Sequence, residues 1–193
     1  LCALGINSIV VNPADIPTTS KEKVQKEDAR DSKKIARSLK NGDLIPIYIP
    51  SLESLGHRGL MRLRKTGVND TTRIKNRIKS NLNFNGMSIP AEISSQYWSG
   101  RFLKWLDELE LEKVDRQIMD SQLSTLTHMR QPTLNLTRQI RSLSKTELYE
   151  QKICLLMTIP GIGLITAMAI MTELENMARF SSLDKLCSFI GLV

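Results

Sequence analysis

The chain has 193 residues, with 27 Lys and Arg against 20 Asp and Glu, so it carries a net charge of +7 and a pI near 9.5. That length allows one large or two small domains, each with a core, and the charge favours a polyanionic partner without naming it. Cys2, Cys154 and Cys187 form no CxxC pair, which argues against a zinc or disulfide framework and fits a reducing compartment. No apolar run approaches the roughly 20 residues needed to span a bilayer.

Leu1 in place of Met leads directly into the apolar run Ile6 to Val11, and the other end stops at Gly191-Leu192-Val193. Both ends read as cut through structure, and an internal stretch of a longer protein is expected. Ser8 to Asn12 is β-branched and ends at Asn12-Pro13, which predicts a strand. Thr18 to Glu22 is a polar entry to a helix over Val24 to Leu39, closed by Asn41-Gly42. Leu44 to Ile49 reads as a short strand, with Pro46 pointing to an edge position.

From Ser51 to Ser80 the bases are Arg58, Arg62, Arg64, Lys65, Arg73, Lys75, Arg77 and Lys79, against Glu53 and Asp70 alone. Nearly all the charge excess lies here; most of the rest lies in Lys21 to Lys40. Leu52, Leu55, Leu63, Ile74, Ile78 and Leu82 keep approximate helical spacing. Gly56, Gly59 and Gly67 count against a helix, at about 1 kcal/mol each in a helix interior. If the segment is helical, Arg73 and Arg77 share one stripe, Lys75 and Lys79 another, and Ile74 and Ile78 form the apolar seam between them. Such a helix can track a phosphate backbone and release its counterions. Its alternative is a solvated basic face.

Asn83 to Pro90 reads as a loop and Ser99 to Met129 as a long helix, with Tyr97, Trp98, Phe102 and Trp105 clustered at its start. Trp98 and Trp105 read as helix-seam residues, and His57 and His128 have no ligand partner in sequence and read as incidental. Pro132 should interrupt the helix, which resumes with Leu136, Ile140 and Leu143. Leu111, Val114 and Ile118 hint at self-association without sustaining a heptad pattern. Ser144-Lys145-Thr146-Glu147 has the form of a capping box.

A helix then ends at Thr158 and another opens at Leu164, across Ile159-Pro160-Gly161-Ile162-Gly163. Gly161 and Gly163 permit positive φ and leave N–H groups bare at a helix N-terminus, where a phosphate can sit against the dipole. Ile162 is the expected apolar peg between the helices, with Ala167 and Ile170 following inside. This is the pattern of a helix-hairpin-helix, though a helical hairpin that merely packs would have the same turn.

One further pair carries chemistry. Asp28 and Asp31 lie three apart on the first predicted helix and share a face. Two hard oxygen donors suit Mg²⁺ or Mn²⁺, and a pair of such ions can serve phosphodiester chemistry. Acids near a helix start are also ordinary partners of the dipole and of nearby bases.

In this order, Asp28-Ala29-Arg30-Asp31, Thr72 to Lys79, Ile159 to Gly163, Arg179-Phe180-Ser181-Ser182 and Gly191-Leu192 resemble the DEDD-type transposases of the insertion sequence 110 family, with its 116 and 902 relatives, over nearly the whole chain. The resemblance implies a mainly α chain with an α/β N-terminal part. Residues 1–50 would be the C-terminal part of a RuvC-like, ribonuclease-H-type domain. Residues 51–145 would be a basic, coiled-coil-like helical region, and 146–193 the start of a C-terminal transposase domain with the helix-hairpin-helix. It implies metal-dependent DNA strand cleavage and exchange, with Asp28 and Asp31 as the last two of four carboxylates and Mg²⁺ or Mn²⁺ as the metal. The first Asp and the Glu would lie before Leu1, and a catalytic serine beyond a Gly-Leu-x-Pro segment that Gly191-Leu192-Val193 stops short of. Ser181, Ser182 and Ser188 fit capping and surface positions.

The nucleic-acid contacts expected on this basis are Arg58, Arg62, Arg73, Lys75, Arg77, Lys79, Gly161, Ile162 and Gly163. Expected partners are element and target DNA, an element-encoded structured RNA, and further copies of the chain, in the cytoplasm of a prokaryotic cell close to the nucleoid. The competing reading is a non-catalytic junction-binding protein built around the hairpin.

Overall fold

The computed structural model describes residues 4–16, 27–93 and 98–192. The chain forms two compact units, Leu1–Ser51 and Leu52–Val193.

In the first unit the expected α/β arrangement is not seen among the described residues. The two apolar segments meet at a single antiparallel bridge, Val11 with Pro46, closed by the Ile47 N–H on the Val10 carbonyl at 2.8 Å. Pro46 has no N–H to extend the ladder, and a lone two-stranded pairing is marginal in water. Asn12 caps a 3₁₀ turn, Pro13–Asp15, instead of ending a strand. Helix α1, Asp28–Asn41, closes as expected on Gly42 at φ 75°, whose N–H reaches the Leu39 carbonyl. Thr18 to Glu22 and the expected helix start at Val24 lie outside the described residues. No apolar side chain of this unit is buried among the described residues.

The second unit is built on two long helices, α2 (Leu52–Phe84) and α4 (Lys113–Leu143), packed antiparallel. The three glycines do not break α2. At Gly67 the absence of a side chain is what lets the helices meet, since a Cβ there would lie 2.6 Å from Thr133 Oγ1. At one end of the pair, Ile74, Ile78 and Leu82 pack on Trp98, Phe102 and Leu106 and on Met119, Leu123 and Leu126. At the other, Met61 and Ile140 pack on Tyr149, Ile153, Ala167, Met168 and Met171.

The long helix expected from Ser99 to Met129 is two. Helix α3, Gly100–Glu108, is capped by Ser99, and α4 begins only at Lys113. Arg116 makes the corner, its guanidinium donating to the carbonyls of Leu106 (2.9 Å), Asp107 (3.2 Å) and Leu109 (3.4 Å), so the end of α3 is satisfied without continuing. Trp98, at φ 48°, turns its ring into the core against Phe102. Pro132, expected to interrupt, sits inside α4; its ring removes one N–H, but packing on α2 along both flanking turns holds the helix through it.

The expected capping box at Ser144 does not form. The Ser144 and Thr146 hydroxyls donate instead to the carbonyls of Arg141 and Leu143, finishing α4. Helix α5, Glu150–Met157, and helix α6, Leu164–Leu174, flank the predicted turn, and after the 3₁₀ turn Met177–Arg179 comes α7, Leu183–Ile190. Ser182 caps α7 on the Lys185 N–H, and Gly191, at φ 78°, ends it.

Candidate nucleic-acid interface

Helix α2 presents its bases in two ways. Near its start, Arg58 is largely buried and its guanidinium donates to the carbonyls of Thr172 (3.3 Å) and Glu173 (3.1 Å), with Glu173 Oε2 at 3.1 Å. Arg62 takes the same carboxylate in a bidentate grip at 2.9 and 3.0 Å, which raises its pKa. Both guanidinium groups therefore satisfy the C-terminal end of α6, where carbonyls lack helical partners and positive charge is favoured. Arg64 is likewise turned inward, onto Thr137 at 2.9 Å.

Beyond Gly67 the pattern changes. Ile74 and Ile78 are buried as the seam, and Arg73 and Arg77 share the exposed face. Arg73 pairs with Asp70 at 2.9 Å. Lys75, Arg77 and Lys79 have no ion pair among the described residues. Lys75 stands 5.5 Å from the centre of the Trp98 ring, and burial, with Arg130 and Lys79 nearby, holds its ammonium below the ordinary lysine value.

The turn between α5 and α6 closes with the Ile159 N–H on Leu156 and the Ile162 N–H on Ile159. Gly161 has φ 89°, as its position required. Gly163 does not share that conformation; at φ −90° and ψ 172° it is the extended N-cap of α6, with no side chain to cap it and open space where a Cβ would stand. The first N–H groups of α6 are thus left uncapped by any side chain. Ile162 packs on the second core as a peg, Ala167 is fully buried and Ile170 half-buried.

In the first unit, Asp28 and Asp31 occupy the first turn of α1 and are exposed, with Lys34 3.9 Å from Asp31 and Glu27 bound by Arg30 at 3.0 Å. They offer oxygen donors on one side of an ion. Among the described residues no group of three or more His, Cys, Asp or Glu converges as a metal site. Arg30, Lys33, Lys34 and Arg37 line a cavity of about 380 Å³ on the same helix.

Several roles were not visible in sequence. His57, read as incidental, shares a 2.9 Å hydrogen bond through Nδ1 with the Tyr149 hydroxyl. Arg179 lies between the rings of Phe180 and Phe189, 4.4 and 4.5 Å from their centres. Glu173 gave no signal, because its partners are more than a hundred residues away. Among the described residues no helix is long and apolar enough to cross a membrane.

The family model described as "Transposase IS116/IS110/IS902 family" matches residues 154–193, and the DEDD model of the insertion sequence 110 group, described as "Transposase", matches residues 1–85. The "Putative transposase y4qE" of Sinorhizobium fredii (strain NBRC 101917 / NGR234) is 27% identical over 192 residues, covering 99% of this chain and 45% of its own length. The "Transposase for insertion sequence element IS1533" of Leptospira borgpetersenii is 24% identical over 178 residues, covering 91% of this chain and 51% of its own. The chain thus spans about half the length of these curated relatives. No solved structure matches it.

Proposed function

Since the chain belongs to the IS116/IS110/IS902 family of transposases, we propose that it serves DNA strand cleavage and exchange, and that its second unit holds nucleic-acid backbone. The observation that carries this reading is the set of cations beyond Gly67 on α2, where Lys75, Arg77 and Lys79 meet no carboxylate among the described residues. Buried Ile74 and Ile78 fix the phase of the helix, so Arg73 and Arg77 are held outward as a row of positive charge that can neutralise phosphates. Arg58 and Arg62 contribute by fastening α6, which carries the hairpin turn, and only indirectly to binding.

The hairpin acts as a second grip, of the helix-hairpin-helix kind. Gly161 makes the bend, Ile162 pegs it, and Gly163 lets a phosphate approach the uncapped N–H groups of α6. Asp28 and Asp31 belong to the carboxylate set of a RuvC-like domain, and Mg²⁺ or Mn²⁺ bound there would activate the attacking oxygen and stabilise the leaving one. What these two side chains supply is hard oxygen ligation from one rigid helical turn. Element and target DNA are the substrates, an element-encoded RNA and further copies of the chain are partners, and the setting is the cytoplasm of a prokaryotic cell.

Replacing Arg73, Lys75, Arg77 and Lys79 by Gln tests the interface. Binding to duplex DNA should weaken regardless of sequence, and the logarithmic salt slope should flatten by about 0.7–0.9 for each phosphate no longer neutralised. An unchanged slope would rule out the α2 track. For the acids, Asp28→Asn or Asp31→Asn in the intact transposase should abolish strand cleavage while leaving DNA binding in place. Full cleavage by both variants would remove them from the catalytic set.

A further inference from the structure

Several bases on the helices of this chain are neutralised by a carboxylate. Arg62 has Glu173, Arg73 has Asp70, Lys104 has Glu108 and Arg116 has Asp120. Around Lys75 the pattern fails. Lys75 stands over the Trp98 ring, Lys79 follows one turn later on the same side of α2, and Arg130 reaches the same place from α4. None of the three has a hydrogen-bond or ion-pair partner among the described residues. Like charges brought together by two helices, one of them partly stripped of water, oppose folding unless an anion completes the set.

The floor of the cluster decides which part of a ligand it can take. Trp98 is only 6% exposed and is held edge-on by Phe102, which in turn stacks on Trp105. Its face is already covered by the Lys75 ammonium, so a base cannot stack there. An anion approaching from solvent would meet two ammonium groups and a guanidinium, which suits phosphate oxygens.

We propose that Lys75, Lys79 and Arg130, floored by Trp98, form a phosphate-binding site bridging α2 and α4 that takes a backbone phosphate of the nucleic acid. The proposal rests on the nucleic-acid reading above and deepens it by carrying the track off α2 onto α4. It adds Arg130 as a binding residue and assigns the site to backbone, not base, recognition.

Pyrophosphate titrated into the 193-residue chain, followed by tryptophan fluorescence, probes the site directly, and salt-dependent binding of a short DNA duplex probes its use. Arg130→Gln should weaken pyrophosphate binding about tenfold, as expected for removing one charge-assisted hydrogen bond, and flatten the DNA salt slope by about 0.7–0.9. Its Tm should not fall, because a repulsion has been removed. Arg141→Gln, on the same helix but outside the cluster, should change neither reading. Pyrophosphate affinity and salt slope both unchanged in Arg130→Gln would overturn the site while leaving the α2 track standing. Pyrophosphate binding that needs all three cations, in a chain that binds no DNA, would instead overturn the nucleic-acid assignment.

Discussion

In the first half of α2, Arg58 and Arg62 turn onto Glu173 and the last carbonyls of α6, whereas in the second half Lys75, Arg77 and Lys79 meet no carboxylate among the described residues. The two halves carry similar charge on one uninterrupted helix, and they separate at Gly67, where α4 packs close. A run of basic residues is therefore not one surface. Whether a cation fastens the fold or waits for a ligand depends on what faces it, and here the difference is a single acid supplied from the end of another helix. The fastened half holds the hairpin in place, and the unpaired half presents charge.

The largest expected effect tests the fastened half. Arg58→Met keeps the aliphatic bulk but removes two hydrogen bonds to carbonyls and the Glu173 pair, which should cost about 2–3 kcal/mol, visible in urea melts. Its DNA salt slope should match that of the parent chain. A stability unchanged by Arg58→Met, together with a flatter slope, would erase the distinction between the halves.

Next in size is the boundary itself. Gly67→Ala places a methyl group against Thr133 Oγ1, whose present position also serves a 3.0 Å bond to the Met129 carbonyl. The overpacking should outweigh the gain in helix propensity and destabilise by about 1 kcal/mol net. Adding Thr133→Ala removes the obstructing oxygen and should return stability to at least the parent level. A double variant no better than Gly67→Ala alone would mean that the helices do not meet there as described.

What could be read in advance follows the same division between local and distant causes. The hairpin boundaries at Thr158 and Leu164, the stop at Gly42 and the seam of Ile74 and Ile78 are written in neighbouring residues, as positive φ and helical periodicity. The break after Glu108 is not, because Leu109-Glu110-Leu111-Glu112 has good helix propensity and only Arg116, folding back on the α3 carbonyls, ends the helix there. Pro132 misleads in the opposite sense, since tertiary packing carries α4 through it. At the candidate site, spacing placed Arg73 and Arg77 on one exposed face, but nothing local could say that Arg58 and Arg62 would be taken by Glu173. Arg130 escaped notice for the same reason.

The smallest expected effect gives the two halves opposite signs with pH. Tyr149, bound to His57 in the first half, has its phenol pushed above the ordinary 10.0 by burial first and then by Glu53 and Glu175. A raised folded pKa means that its contribution is complete below the unfolded value and is lost as pH rises through the folded one. Lys75, in the second half, is held below 10.5, by burial first and then by Arg130 and Lys79. Its contribution is complete above the unfolded value and is lost as pH falls through the folded one, so it weighs against the fold at neutral pH. Tyr149→Phe should therefore cost about 1 kcal/mol at pH 7, for the missing hydrogen bond, and remove part of the alkaline fall in stability. Lys75→Gln should raise stability at pH 7 and lose that advantage as pH approaches the lysine range. Urea melts of both variants and the parent at pH 7, 9 and 11 separate these outcomes. Parallel shifts at every pH in both variants would mean that the two halves of α2 bear their charged and polar groups in the same way.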